Sequence, residues 1–347
     1  MELGIMTFAD MQPETSAHSG VNGKQRMQDL MEEIQLADQL GLDVFGLGEH
    51  HRPDYLVSSP AVVLGAAAAV TKNIKLASAV TVLSSDDPVR VYQQFSTVDL
   101  LSGGRAEIMA GRGSFIESFP LFGYDLEDYD ELFTEKLDLL LQVNKQEKVN
   151  WKGKHRAPVQ GLSVYPHSFQ KEIPVWIAAG GTPASAVRAA KLGLPLMLAI
   201  IGGMPQQFTG FLNLYKQTAL QSGKQLSDLR FGVNNHMFVG EDSQKAADEF
   251  YPYYAEQMSR IGRERGWSPL TRQQYDAARS PQGALMVGSV QQVVDKILQE
   301  HEWFGNTRFL AQASVGAVPH ALTMKSIEVF GTKVVPAVRK ALGEQKK

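Results

Sequence analysis

The sequence predicts an α/β protein built as a closed (β/α)8 TIM barrel, a single domain over residues 1–347 with insertions after the fourth and seventh strands. Three observations carry this. Apolar runs of strand length alternate with stretches of helical periodicity until eight strand–helix pairs have been counted. Gly or Pro stands where most runs must turn. The first strand also lacks the Gly-x-Gly-x-x-Gly turn that an open doubly wound sheet favours.

Leu3 to Phe8 reads as the first strand and the polar stretch from Asp10 to Gly23 as a loop. Met27, Leu30, Met31, Ile34, Ala37 and Leu40 recur at three- and four-residue steps, which predicts a helix from Arg26 to Leu40 stopped by Gly41. Leu42 to Leu47 is the second strand. Pro60 opens an Ala-rich helix to Val70, and Ile74 to Val82 is the third strand. Pro88 opens the next helix, Gly103-Gly104 breaks it after Leu101, and Ala106 to Ala110 is the fourth strand. An aromatic loop from Phe115 to Tyr129 and a helix from Glu131 to Lys145 follow. The stretch from Gln146 to Glu172, with Trp151, Pro158 and Pro166, reads as an excursion carrying a small hairpin.

The alternation then resumes. Pro174 to Ala178 is the fifth strand, Thr182-Pro183 starts a helix to Leu192, Leu196 to Ile200 is the sixth strand, and Pro205 to Gln221 is helical. Phe231 to Val239 is the seventh strand and Ser243 to Gly262 its helix. Trp267 to Gly288 reads as an irregular insertion, Val290 to Glu302 as helix and Thr307 to Gln312 as the eighth strand. Pro319 to Leu342 closes the chain as helix, with a frayed lysine-ended tail.

A net charge of −3 with both signs scattered gives no field for nucleic acid or an anionic membrane, so the expected partner is a small molecule. The absence of cysteine excludes disulfides, cysteine metal ligands and thiol nucleophiles. The N-terminus lacks the pattern of a secretory signal, and no run of about 18 apolar residues occurs, so a cytoplasmic location is expected.

Three strand exits carry candidate chemistry. Glu49-His50-His51 follows the second strand, where His50 can exchange a proton with Glu49 orienting it, or where the segment can be an ordinary solvated loop. A metal site using His50 or His51 with His236 competes, although adjacent side chains on an extended chain point to opposite faces. Gly111-Arg112-Gly113-Ser114 lets a ligand approach the backbone and offers a planar cation for phosphate, or is a tight turn. Gly180-Gly181-Thr182-Pro183-Ala184-Ser185 leaves amides facing an anion, or is a capped helix start. Two such exits on neighbouring strands can grip one phosphate. Phe115, Phe119, Phe122, Tyr124 and Tyr129 either wall a pocket or pack their loop on the barrel.

In order and spacing these segments resemble the bacterial luciferase-like flavin-dependent monooxygenases. The resemblance runs through Glu49-His50-His51, Pro88-Val89-Arg90, Leu101-Ser102-Gly103-Gly104-Arg105, Gly111-Arg112-Gly113 and Ile173-Pro174-Val175-Trp176-Ile177-Ala178. It implies reduced FMN as cofactor, delivered by a separate NAD(P)H:flavin reductase, and a homodimeric assembly. It also implies oxidation of a small organic substrate by molecular oxygen through a flavin hydroperoxide. His50 then becomes the active-site histidine with Glu49 beside it, Arg112 the phosphate ligand, and Gly113, Gly180, Gly181 and Ser185 its surroundings. Ser78, Ala79 and Val80 lie under the flavin ring, with a cis peptide at Ala79-Val80. Gly111 stands where the luciferase catalytic subunit has a reactive cysteine, which speaks against light emission and not against flavin binding. Members using a deazaflavin coenzyme (F420) for hydride transfer tend to carry an Asp-His pair where this chain has Glu49-His50-His51, which ranks that coenzyme second. A metal-dependent barrel hydrolase and a flavin-binding protein without turnover complete the alternatives.

Overall fold

The computed structural model describes residues 1–11 and 23–343. Twelve strands occur along these residues: β1 (Glu2–Thr7), β2 (Val44–Leu47), β3 (Lys75–Ser78), β4 (Thr81–Val82), β5 (Ala106–Gly111), β6 (Val149–Trp151), β7 (Val159–Leu162), β8 (Val175–Ala179), β9 (Leu196–Ala199), β10 (Phe231–Gly240), β11 (Met286–Ser289) and β12 (Arg308–Gln312). Parallel pairing runs β12-β1-β2-β3-β5-β8-β9-β10, and β10 pairs again with β12, so the sheet closes into an eight-stranded barrel. The parallel pairing requires a crossover after each barrel strand, and helices supply it.

Side chains alternate between two environments along each strand. Leu3, Ile5, Phe45, Leu47 and Ile108 face the surrounding helices in one continuous core. Met6, Val44, Ala77, Met109, Trp176, Met197 and Leu310 belong to a separate buried cluster that fills the barrel interior. Gly4 and Gly46 belong to this tight interior: a Cβ at Gly46 would come 2.9 Å from the Cβ atoms of Met6 and Ala79. At the N-terminal ends of the strands the fully buried Arg308 plugs the floor. Its guanidinium donates to Glu107 at 2.6 and 3.1 Å and to Glu2 at 2.8 Å, and lies 4.1 Å from the centre of the Trp176 ring.

The third predicted strand is not continuous. The Ala79-Val80 peptide is cis, and the chain breaks there into β3, between β2 and β5, and β4, which pairs with β5 alone. The excursion after the fourth barrel strand carries the expected hairpin, β6 antiparallel to β7, beyond the helix Tyr129–Lys145. The stretch from Trp267 to Gly288 is more ordered than its composition implies. Thr271 and Gln274 cap each other reciprocally at the start of the helix Arg272–Ala278, and β11 adds to the far end of β10. The C-terminal region is helical over His320–Val329 and Val335–Ala341, joined by a π-helical turn. Most of the first expected loop and the last four residues lie outside the described residues. No helix among the described residues is long and apolar enough to cross a membrane.

Candidate active site

A cavity of about 570 Å³ opens at the C-terminal ends of the barrel strands, the end where the loops after the strands converge. Glu49, His50, Ala79, Val80, Gly111, Arg112, Gly113 and Gly180 all line it. Ser78 lies one layer behind, its Oγ accepting from Met109 N at 3.1 Å. Gly181 and Ser185 stand beside the cavity at the start of the helix Pro183–Leu192. Three strand exits far apart in sequence therefore converge on one volume.

His50 is 9% exposed and sits in an aromatic cage, with ring centroids 4.4 Å from Phe8, 4.4 Å from Tyr55 and 4.9 Å from Phe115. Its backbone N–H donates to Val57 O at 3.0 Å, while among the described residues no group hydrogen-bonds the imidazole. Burial, with the charge of Arg52 adding to it, lowers its pKa to about 3. The ring is therefore neutral near pH 7, with one N–H donor and one lone pair.

Glu49 does not orient His50. Its Oε1 lies 2.9 Å from His51 Nε2, and its Oε2 accepts from Val82 N at 3.0 Å. Side chains two apart on an extended segment share a face, so Glu49 pairs with His51 while His50 turns to the aromatic cage. The carboxylate thus ties the exit of β2 to the end of β4.

Arg112 leaves the end of β5 with its guanidinium donating to Asp130 Oδ1 at 2.7 Å and to Ser185 Oγ at 3.4 Å. Tyr129 lies beneath it, 5.2 Å from guanidinium carbon to ring centre, and donates its hydroxyl to Gly113 O at 2.7 Å. Gly113, at φ +88°, holds a left-handed conformation that lets the chain fold back there. A Cβ at Gly180 would meet nothing within 4 Å, so the backbone at this exit is open to a ligand. A Cβ at Gly111 would instead lie 2.6 Å from Val80 Cγ2, so the turn packs directly on the cis segment.

His236 also lines the cavity, 3.4 Å from Tyr254 Oη through Nδ1, and burial lowers its pKa to about 4. His51, turned to Glu49, is not at the cavity wall. Among the described residues the group with metal-ligating reach is Asp128, Glu131 and His155, and none of the three lines the cavity. The aromatic loop divides its labour. Phe115 and Tyr129 wall the cavity, Phe119 is buried against Tyr129 with centroids 5.4 Å apart, and Phe122 is exposed.

Further lining residues come from outside the three strand exits. Asp10 and Tyr55, joined by an isolated antiparallel bridge, come from loops with no periodic signal. Met258, Ile261, Arg265 and Trp267 come from the helix Ser243–Glu264 and the turn after it. Arg52 clamps this roof: its guanidinium donates to Glu117, Glu264 and Asp54 and lies 4.4 Å from the Phe115 ring centre.

The sequence profile described as luciferase-like monooxygenase matches residues 1–307. The alkanal monooxygenase alpha chain of the Kryptophanaron alfredi symbiont is 27% identical over 216 residues, 62% of this chain and 60% of that protein. An F420-dependent glucose-6-phosphate dehydrogenase of Amycolatopsis mediterranei is 26% identical over 234 residues, 64% of this chain and 68% of that protein. Among solved structures, monooxygenase RslO1 from Streptomyces bottropensis superposes with a TM-score of 0.82 at 23% identity, covering 97% of this chain and 99% of that one. The oxygenating constituent of 3,6-diketocamphane monooxygenase from Pseudomonas putida, in complex with FMN, gives 0.77 at 18% identity, covering 97% and 98%. These two likenesses establish the same barrel.

Proposed function

The chain belongs to the luciferase-like monooxygenase family, and on that premise we propose that it is an FMN-dependent monooxygenase that oxidises a small organic substrate with molecular oxygen. The observation that carries this reading is the convergence of Arg112, the open backbone at Gly180 and the Ala79-Val80 segment on one cavity that also contains His50. These residues fit the cofactor. Arg112 and Ser185 would hold the phosphate, and Ala79-Val80 would support the ring. Arg188, one turn beyond Ser185, has a buried Nη1 without a partner, as expected of a cation built for an anion.

Reduced FMN, when bound, supplies the electrons that activate oxygen. The chain's own residues supply the setting. Phe8, Tyr55 and Phe115 give the cavity an apolar wall that would limit water around a bound flavin. His50, held neutral by its burial, offers a hydrogen bond from its ring N–H or accepts one at its free ring nitrogen. Glu49 keeps β4 in place through Val82 N, so its role is positional.

The reading includes reduced FMN delivered by a separate NAD(P)H:flavin reductase, a cytoplasmic location and a homodimer. An apolar face supports the dimer: Val62 and Val70 on the helix Pro60–Val70 are 71% and 48% exposed, and Leu101 on the neighbouring helix is 59% exposed. The F420-dependent relative favours hydride transfer with the deazaflavin coenzyme as the second reading. The test is an anaerobic titration with reduced FMN followed by rapid mixing with oxygen. Saturable binding and an oxygenated flavin absorbance that persists beyond that of free flavin are expected. Absence of FMN binding together with binding of F420 would replace this reading by the second.

A further inference from the structure

Behind Arg112, which lines the cavity, stands a second arginine, Arg188, that is not itself part of the cavity wall. Two helices face each other across Arg112. From the helix Pro183–Leu192 come Ser185 and, one turn on, Arg188; from the helix Tyr129–Lys145 come Asp130 and, one turn on, Phe133. The Arg188 guanidinium lies 5.2 Å from the Phe133 ring centre. Its Nη1 is buried and finds no hydrogen-bond partner among the described residues. A guanidinium has five donors and stays charged, so a partly buried one whose Nη1 is shut from water without a partner has a donor left for an anion. Burial and then the neighbouring Arg112 charge both lower its pKa, so the two cations share one locality. Against them stands Asp130, 70% exposed, whose Oδ1 accepts from Arg112.

We propose, resting on the flavin reading above, that Arg188 is a second phosphate ligand beside Arg112. In this proposal Asp130 holds Arg112 while the site is empty and releases it to the phosphate, so the cradle selects a terminal phosphate monoester over an interior phosphodiester. A monoester near neutral pH carries about −1.5 to −2 charges and three free oxygens. That is enough to displace one carboxylate and occupy both guanidinium forks. A diester carries a single charge and two free oxygens, so it competes poorly with Asp130 for Arg112. FMN has the first chemistry and the deazaflavin coenzyme the second; in FAD the charge is divided over a diphosphate, so that each phosphorus again offers one charge and two free oxygens.

The test measures dissociation constants anaerobically, by absorbance and fluorescence, for reduced FMN, FAD and riboflavin on the purified full chain and on Arg188→Gln, Arg188→Lys and Asp130→Asn. Arg188→Gln is expected to weaken FMN by about 10- to 100-fold, Arg188→Lys by less, and both to leave riboflavin unchanged. Asp130→Asn is expected to narrow the preference for FMN over FAD. Unchanged FMN affinity in Arg188→Gln overturns the role of Arg188, as does an equal loss for FMN and riboflavin, which would mark a structural residue. An unaltered FMN-to-FAD ratio in Asp130→Asn overturns the selection by Asp130. A wild-type chain that binds no reduced flavin overturns the flavin reading itself and this proposal with it.

Discussion

Replacing Asp10 by Asn is expected to make the protein more stable, and the more so the higher the pH. Asp10 is 4% exposed at the cavity wall, where Oδ1 accepts from Gly316 N at 2.9 Å and Oδ2 has no partner among the described residues. Burial raises its pKa to about 7; the Gly316 N–H and the Arg26 charge oppose the rise, and Asp54 adds to it. In the unfolded chain the carboxyl releases its proton near its ordinary value of about 3.9. Between that value and about 7 the folded state binds more protons, so the contribution is fully present below the lower value and is lost as pH rises through the upper one. Each pH unit in this window is about 1.4 kcal/mol, which puts the full loss on the order of 4 kcal/mol. Asn keeps the acceptor for Gly316 and does not titrate. The stability difference between Asp10→Asn and wild type should therefore grow by roughly 2 to 3 kcal/mol from about pH 5 to about pH 8. At on the order of 2 °C per kcal/mol, that is about 5 °C in Tm. Thermal melts of both proteins at the two pH values measure it, and the subtraction cancels the buried groups they share. A difference that stays constant with pH would show that Asp10 ionises freely in the folded state and would refute the argument.

His50→Ala is expected to cut turnover by roughly 100-fold or more while sparing flavin affinity; steady-state kinetics beside a flavin titration check it, and an active variant removes His50 from the chemistry. Arg112→Ala should weaken FMN by about 1.5 to 3 kcal/mol and leave riboflavin unaffected, a contrast read from parallel titrations. Arg308→Met should destabilise the barrel by about 3 to 5 kcal/mol because it removes both guanidinium bonds to the buried Glu107 carboxylate and leaves it only the partly exposed Lys75, whereas Arg308→Met combined with Glu107→Leu should recover much of the loss; denaturant melts give both values. Gly111→Ala should weaken flavin binding by driving Val80 out of place, since the new Cβ would stand 2.6 Å from Val80 Cγ2, and equal affinity in the variant would contradict this.

Much of the site was legible because the barrel makes position along the chain equivalent to position around a ring. Once His50, Arg112 and Gly180 were each placed at the exit of a parallel strand, their convergence on one mouth followed from closure. Glu49 was misread for a local reason. Its adjacency to His50 suggested a pair, but alternation along the extended segment turns it to His51 and to Val82 N. Arg188 belongs to no motif, and its orphaned Nη1 is a property of tertiary packing, where the guanidinium lies over Phe133.

Periodicity, punctuation by Gly and Pro, and the order of a few motifs were enough for the barrel and the exits that face its mouth, because these are properties of neighbours in the chain. Folding alone decided the rest. It split the third strand into β3 and β4 around the cis peptide that the family resemblance implied, and brought Asp10 and Tyr55 to the cavity. It also set the protonation of His50, since its burial depends on Phe8, Tyr55 and Phe115 meeting around one ring, which no local stretch of sequence records.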